Sequence, residues 1–76
     1  MPSPPPTTAE LEATVQRMET RLGAVSDPRI RDLMSAYARL SQRFASDLSD
    51  PREILLSKGA ALMLIQEVAS RMTSAK

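Results

Sequence analysis

Apolar residues recur along the chain at helical spacing in three separate stretches. In the first stretch they follow one another at steps of four and three residues, and they are Leu11, Val15, Met18, Leu22 and Val25. Such a seam predicts an amphipathic helix over about 8–24 that packs along one neighbour and leaves most of its surface in water.

The second stretch predicts a longer amphipathic helix over about 28–47. Its large apolar residues fall on one face when successive positions turn by about 100°. They are Ile30, Leu33, Met34, Tyr37, Leu40, Phe44 and Leu48. Polar residues, mostly arginine, serine and glutamine, occupy the remaining circumference, so this helix is expected to cover a core with one side only.

The third stretch, about 51–73, is different because its apolar residues exceed one face. A broad face comprises Ile54, Leu55, Ala61, Leu62, Leu64, Ile65, Val68, Ala69 and Met72, with Leu56, Ala60 and Met63 on the opposite side. The stretch Gly59–Ile65 is apolar on every side, and a helix that is apolar all round is buried all round. Two other helices can hardly surround it, so the pattern predicts a further chain against it. The predicted interface comprises Leu55, Leu56, Ala60, Met63, Leu64 and Glu67.

Two residues of this third helix allow alternative interpretations. Lys58 lies near the centre of the broad apolar face, where it could be a buried charge that sets specificity. We expect instead that its long side chain extends to solvent. Gly59 could permit the close approach of another helix, or it could be a tolerated weak point in the helix interior.

The boundaries of the helices are marked by capping signals. The tetrapeptide Ser-Asp-Pro-Arg occurs at Ser26–Arg29 and again at Ser49–Arg52, each time before an amphipathic run. Serine or aspartate can accept hydrogen bonds from the first N–H groups of a helix, and proline suits its first turn. A capping box of Thr7 and Glu10 predicts the first helix start. The candidate caps are Thr7, Glu10, Ser26, Asp27, Ser49 and Asp50.

These patterns predict an all-α protein with three short helices. Either the second and third helices form a hairpin that the first crosses, or the three make an up-down-up bundle. Four of the first six residues are proline, which predicts a disordered proline-rich arm over residues 1–7. Residues 8–76 are then a single small helical domain.

Composition strengthens the expectation of a partner. The chain has 76 residues, one tyrosine, one phenylalanine and no cysteine. Its own core can supply only a few kcal/mol of net stability, and no disulfide can add to it. A protein partner or a homo-oligomer, most simply a dimer, is the remaining source of stability.

The residue types disfavour catalysis and ligand chemistry. The chain has no histidine, no cysteine and only two glycines. It therefore lacks the usual general base, a phosphate-binding loop and a nucleophile elbow, and its carboxylates are not spaced for a metal. We expect no enzyme activity, no cofactor, no bound metal and no small-molecule substrate.

Charge disfavours two binding classes. Ten basic and nine acidic residues give a net charge of +1, and the signs are mixed along the chain. Strong electrostatic binding to nucleic acid or to an anionic membrane is therefore not expected. A small helical DNA-binding regulator remains an alternative, because three helices can hold a helix-turn-helix and the second helix carries several arginines.

The second and third helices, joined at Leu48–Arg52, resemble the helical hairpin of the small type III secretion co-chaperones. The resemblance covers about Arg29 to Met72 in helix lengths and in the polar turn. It implies a heteromeric, cytosolic complex in which the hairpin docks on a second chaperone that keeps a needle subunit soluble. Phage accessory proteins and antitoxin-like modules match the same features equally well.

The function expected from the sequence is a non-catalytic interaction module, such as an adaptor, assembly factor or co-chaperone, that buries the third helix against a partner or a second copy. The N-terminus lacks the basic and apolar regions of a signal peptide, and the longest apolar run is too short to span a bilayer. We therefore expect a cytoplasmic protein.

Overall fold

The structure, a computed structural model, describes residues 3–74 and contains three α-helices in that range. They are α1 (Thr8–Gly23), α2 (Pro28–Asp47) and α3 (Pro51–Ser74). The prediction of an all-α, three-helix fold is confirmed, with helix ends shifted by at most one residue. Predictions made for residues 1, 2, 75 and 76 lie outside the described residues.

Each helix begins at a residue whose side-chain oxygen accepts a backbone hydrogen bond. The Thr7 hydroxyl accepts from the N–H of Glu10 at 3.2 Å. Asp27 Oδ1 accepts from the N–H of Arg29 at 2.9 Å, and Asp50 Oδ1 accepts from the N–H of Arg52 at 3.0 Å. The short aspartate side chain therefore satisfies an N–H group that has no partner inside the helix.

The serines of the repeated tetrapeptide are not at the cap position. Ser26 and Ser49 precede the capping aspartates by one residue, because proline takes the first helical position directly after aspartate. Their hydroxyls are thus one residue too early to reach the first free N–H groups. For Glu10, the structure shows its backbone N–H as the donor to Thr7, and no bond of its carboxylate back to Thr7 among residues 3–74.

The three helices run up, down and up. Nη1 of Arg52, in the first turn of α3, donates to the carbonyl oxygen of Pro6 at 2.9 Å, just before α1 begins. The N-terminal ends of α1 and α3 therefore lie together. The helix α2, which comes between them in the sequence, runs in the opposite direction. In space α3 is the central helix, because it packs against both α1 and α2, which contact one another much less.

The core lies on one side of α3. Leu62 is fully buried at 0% exposure and packs with buried residues of the other two helices. The buried cluster comprises Val15, Leu22, Tyr37, Leu62 and Ile65, with Met18, Leu33, Met34, Leu55 and Ala61 packed against it. The seam of α1 thus covers one flank of α3, and the apolar face of α2 covers the other.

The molecule is flat, with extents of 40 × 36 × 15 Å. Its radius of gyration is 13.6 Å, whereas a compact domain of this length has a value of about 11 Å. A flat arrangement of three helices leaves the middle helix uncovered on the side away from its neighbours. The side of α3 opposite Leu62 is consequently open to solvent.

Candidate protein interface on helix α3

A continuous apolar strip lies on the solvent side of α3. Four of its members follow one another at steps of four positions and the fifth lies three positions after Ala60, so all five share one side of the helix. We call it the outer strip, and it comprises Leu56, Ala60, Met63, Leu64 and Val68. The exposed fractions are 49% for Leu56, 66% for Met63, 65% for Leu64 and 42% for Val68. Large side chains so exposed and so contiguous are typical of an interaction surface.

The strip is exposed because α3 is apolar on two sides and the chain covers only one of them. Leu62 and Ile65 point into the core and are almost fully buried. Met63 and Leu64 lie between these two residues in the sequence. The helical turn of about 100° per residue directs their side chains away from the core. The helices α1 and α2 both pack near the Leu62 side, so neither reaches the outer strip.

The structure places five of the six predicted interface residues together on the exposed side of α3, and they are Leu56, Ala60, Met63, Leu64 and Glu67. Leu55 is the exception. It is half-buried and packs against the core cluster, because one residue step before Leu56 turns its side chain by about 100° toward α1 and α2.

On α3, Val68 is an exposed apolar residue that was not among the predicted interface residues. Its position on the 100° wheel placed it with the core face, yet 42% of its surface is exposed. Val68 follows Leu64 by four residues, as Leu64 follows Ala60. That regular step of four was the signal in the sequence that could have assigned Val68 to the strip.

An open groove runs beside the strip toward the C-terminal end of α3. It is lined by Ala60, Met63, Leu64, Gln66, Glu67, Ser70 and Arg71. Two of the lining residues form a hydrogen bond, in which Arg71 Nη2 donates to Glu67 Oε1 at 2.9 Å. Both side chains are well exposed, so this pair contributes only a few tenths of a kcal/mol, about 0.3–0.5.

Lys58 and Gly59 lie away from the outer strip. Lys58 is half-buried and belongs to the side of α3 that faces the other two helices. A Cβ atom placed on Gly59 would meet nothing within 4 Å. Within the described part of the chain, therefore, no other helix makes a close approach to Gly59.

The ionisable groups with perturbed pKa values lie on other elements. Burial raises the pKa of the Tyr37 hydroxyl well above its usual value, and its hydrogen bond to the Glu19 carboxylate raises it further. Hydrogen bonds from the side chain and backbone of Arg29 lower the pKa of Asp27. Tyr37 joins α1 to α2 and Asp27 caps α2, so both shifts have structural causes.

Several arginines are engaged by acidic neighbours on the same helix or at its start. Arg29 Nη2 lies 2.9 Å from Asp27 Oδ2, and Arg43 Nε lies 3.8 Å from Asp47 Oδ2. Arg71 is paired with Glu67, as described above. These pairs reduce the positive potential that α2 and α3 present to a phosphate backbone.

Comparison of the chain with protein-family models, with curated proteins and with solved structures found no match. Within residues 3–74, no helix has a segment of the length and apolar character needed to cross a membrane. The same residues contain no group of three or more acidic, histidine or cysteine side chains placed to hold a metal ion. The outer strip remains the candidate site, and its chemistry is the burial of apolar surface.

Proposed function

We propose that this protein is a non-catalytic interaction module, an adaptor, assembly factor or co-chaperone, that buries the outer strip of α3 against another protein. The observation that carries the proposal is the exposure of Met63 and Leu64, adjacent residues that each leave about two thirds of their surface in water. A small monomer gains nothing from displaying such side chains at the centre of its longest helix.

The free energy available from the strip is large relative to the stability of a chain of this size. Full burial of a leucine, valine or methionine side chain contributes about 1.5–3 kcal/mol. The exposed parts of the four large side chains together therefore offer on the order of 4–6 kcal/mol. A lone core in a domain of this size supplies about 3–5 kcal/mol at most. Binding through the strip can accordingly raise the apparent stability of the fold by a comparable amount.

The shape of the strip favours a helical partner surface. Its apolar residues follow one another at helical spacing, as in helices that lie in an apolar groove. Met63 has a flexible thioether side chain that can adapt to the partner. We place this activity in the cytoplasm and assign it no cofactor. The co-chaperone of a type III secretion chaperone is the narrower form of the same proposal.

Site-specific photocrosslinking in the native host tests the proposal. A benzophenone amino acid replaces Met63 in the strip, and in a matched control it replaces Gln16, which is exposed on α1. We expect protein adducts from position 63 and few or none from position 16. Mass spectrometry of the adduct identifies the bound chain, and a secretion chaperone in it would support the narrower form.

Two results would contradict the proposal. The first is the absence of any adduct from position 63 while the protein is folded, as judged by circular dichroism. The second is equal labelling from positions 63 and 16, because a general encounter surface gives no preference for the strip. A Leu64→Asp variant provides a further check, since it should abolish the adduct at position 63 without unfolding α3.

A further inference from the structure

The outer strip has a symmetry that bears on what covers it. Glu53 and Arg71 are 18 residues apart. At about 3.6 residues per turn this spacing is five full turns, so both side chains leave α3 in the same direction, about 27 Å apart. Leu62 is the midpoint between them. Both charged residues are exposed, and they mark the two ends of the apolar strip with opposite signs.

Four of the five residues of the outer strip are arranged about the same midpoint, whereas Met63 is related by it to Ala61, which packs against the core. Ala60 and Leu64 lie two residues before and after Leu62, and Leu56 and Val68 lie six residues before and after it. A two-fold rotation that reverses α3 about this midpoint therefore exchanges Ala60 with Leu64 and Leu56 with Val68. The same rotation exchanges the acidic end with the basic end.

We propose that the surface covering the outer strip is α3 of a second copy of this chain, packed antiparallel about a two-fold axis at the level of Leu62. This inference rests on the proposed function and names the partner. In this arrangement Ala60 of one copy is level with Leu64 of the other, and Leu56 with Val68. Alanine beside leucine at the centre allows the two helix axes to approach to about 8–9 Å.

Charge complementarity selects the antiparallel arrangement. The antiparallel arrangement places Glu53 of each copy opposite Arg71 of the other, at both ends of the interface. It also sets the dipoles of the two helices in opposite directions, which is favourable. Within each copy, Arg71 Nη2 also donates to Glu67 Oε1 at 2.9 Å. A parallel pair would instead bring the two Glu53 side chains together at one end and the two Arg71 side chains together at the other.

The chain has more exposed surface than a compact monomer of its mass. The chain exposes 5846 Å², whereas a compact monomer of its mass exposes about 4,600 Å². The exposed residues 3–7, the flat arrangement of the helices and the uncovered side of α3 all contribute to this difference. Because α1 and α2 lie on the far side of α3, a second copy can reach the strip without meeting them.

Single cysteines test both the partner and its direction, because the natural chain contains no cysteine. Ala60→Cys and Leu64→Cys chains are prepared separately and oxidised alone and as a mixture. In the proposed dimer positions 60 and 64 of different copies lie within disulfide reach, whereas like positions are too far apart. We expect the mixture to form the 60–64 disulfide at least about tenfold faster than either variant pairs with itself.

Charge reversal gives an independent measurement by sedimentation over a concentration series. Glu53→Arg should raise the dimer Kd about tenfold, since it replaces two favourable pairs by two repulsive ones. The double variant Glu53→Arg with Arg71→Glu should return the Kd to within about threefold of the parent value, because each end regains an opposite pair. Helicity measured by circular dichroism confirms that each variant is folded.

The outcomes separate this inference from the proposed function. Self-pairing of each cysteine variant without preference for the mixture would indicate a parallel dimer and overturn the antiparallel arrangement. A chain that stays monomeric up to about 1 mM, with adducts at position 63 to a different protein, would overturn the second copy and leave the interaction module standing. A monomer without any adduct at position 63 would overturn both.

Discussion

The phenolic hydroxyl of Tyr37 on α2 donates a hydrogen bond of 2.8 Å to Oε2 of Glu19 on α1. The two helices contact each other much less than either contacts α3, so this bond is a direct link between the outer members of the fold. The ring of Tyr37 is buried in the core, and only its polar end reaches the half-buried carboxylate. One side chain thus contributes both apolar packing and a polar link between helices.

Replacement of Tyr37 by phenylalanine should lower the free energy of unfolding by about 1–2 kcal/mol, because a hydrogen bond to a charged acceptor is lost while the ring remains. Urea denaturation followed by circular dichroism measures the change. The matched comparison is the same substitution in a Glu19→Gln background, where the loss should be smaller. Equal stability of the parent and Tyr37→Phe proteins would show that the bond contributes nothing.

The same residue predicts an alkaline limit to stability. The pKa of Tyr37 is raised in the folded protein by burial and by Glu19, whereas in the unfolded chain it is about 10. The contribution is therefore fully present below about pH 10 and is lost as pH rises toward the folded value, by at most about 1.4 kcal/mol per pH unit. Unfolding free energies at several alkaline pH values measure this decline.

Two observations isolate the contribution of Tyr37 at high pH. It is the only tyrosine in the chain, so tyrosinate absorbance reports its ionisation directly and should appear later in the folded protein than in urea. The Tyr37→Phe protein should show a weaker decline of stability with pH. Ionisation at the same pH in the folded and unfolded states would contradict the structure.

Leu62 and Leu64, two residues apart on α3, should differ greatly in their response to the same substitution. Leu62 is fully buried, so Leu62→Ala should cost about 2–5 kcal/mol and unfold much of the protein at room temperature. Leu64 is mostly exposed, so Leu64→Ala should change the unfolding free energy of the monomer by no more than about 0.5 kcal/mol. Thermal denaturation at low protein concentration compares the two, and equal losses would place Leu64 in the core.

The cap of α2 predicts a stability contribution that acid removes. Hydrogen bonds from Arg29 lower the pKa of Asp27 in the folded state. Its contribution is therefore present above the unfolded pKa of about 4 and is lost as pH falls through the lower folded value. Asp27→Asn keeps a capping oxygen but removes the charge. Its thermal midpoint should lie below that of the parent at pH 7, and the difference should shrink as the pH falls below the unfolded pKa of about 4.

The helix boundaries could be predicted from the sequence because their causes are local. Proline after aspartate at Pro28 and Pro51 determines where a helix can begin, and aspartate supplies the cap next to it. Whether serine or aspartate caps the helix could be decided only from the structure. Both side chains can accept the hydrogen bond, and only the register of the proline decides which one is in reach.

The edges of the apolar strip were less predictable because they depend on where the neighbouring helices lie. Leu55 and Val68 sit near opposite borders of the broad apolar face of α3. The packing of α1 and α2 covers Leu55 and leaves Val68 exposed. Leu40 on α2 is likewise 41% exposed, although its position on the wheel matched the core. The periodicity shows which residues share a face, whereas the flat arrangement of the helices determines how far that face is covered.

Gly59 is a weak point that can be repaired. It lies inside α3, and a Cβ atom there would meet nothing within 4 Å, so Gly59→Ala should be free of steric cost. Alanine in a helix interior is favoured over glycine by about 0.8–1 kcal/mol, and the free energy of unfolding should rise by about that amount. Gly23→Ala is the matched control, because Gly23 also has open space but is the last residue of α1. Gly23→Ala should therefore raise the free energy of unfolding by clearly less. If urea denaturation shows Gly59→Ala to be destabilised, some chain must occupy the open space beside Gly59, and a concentration-dependent loss would place that contact between two copies.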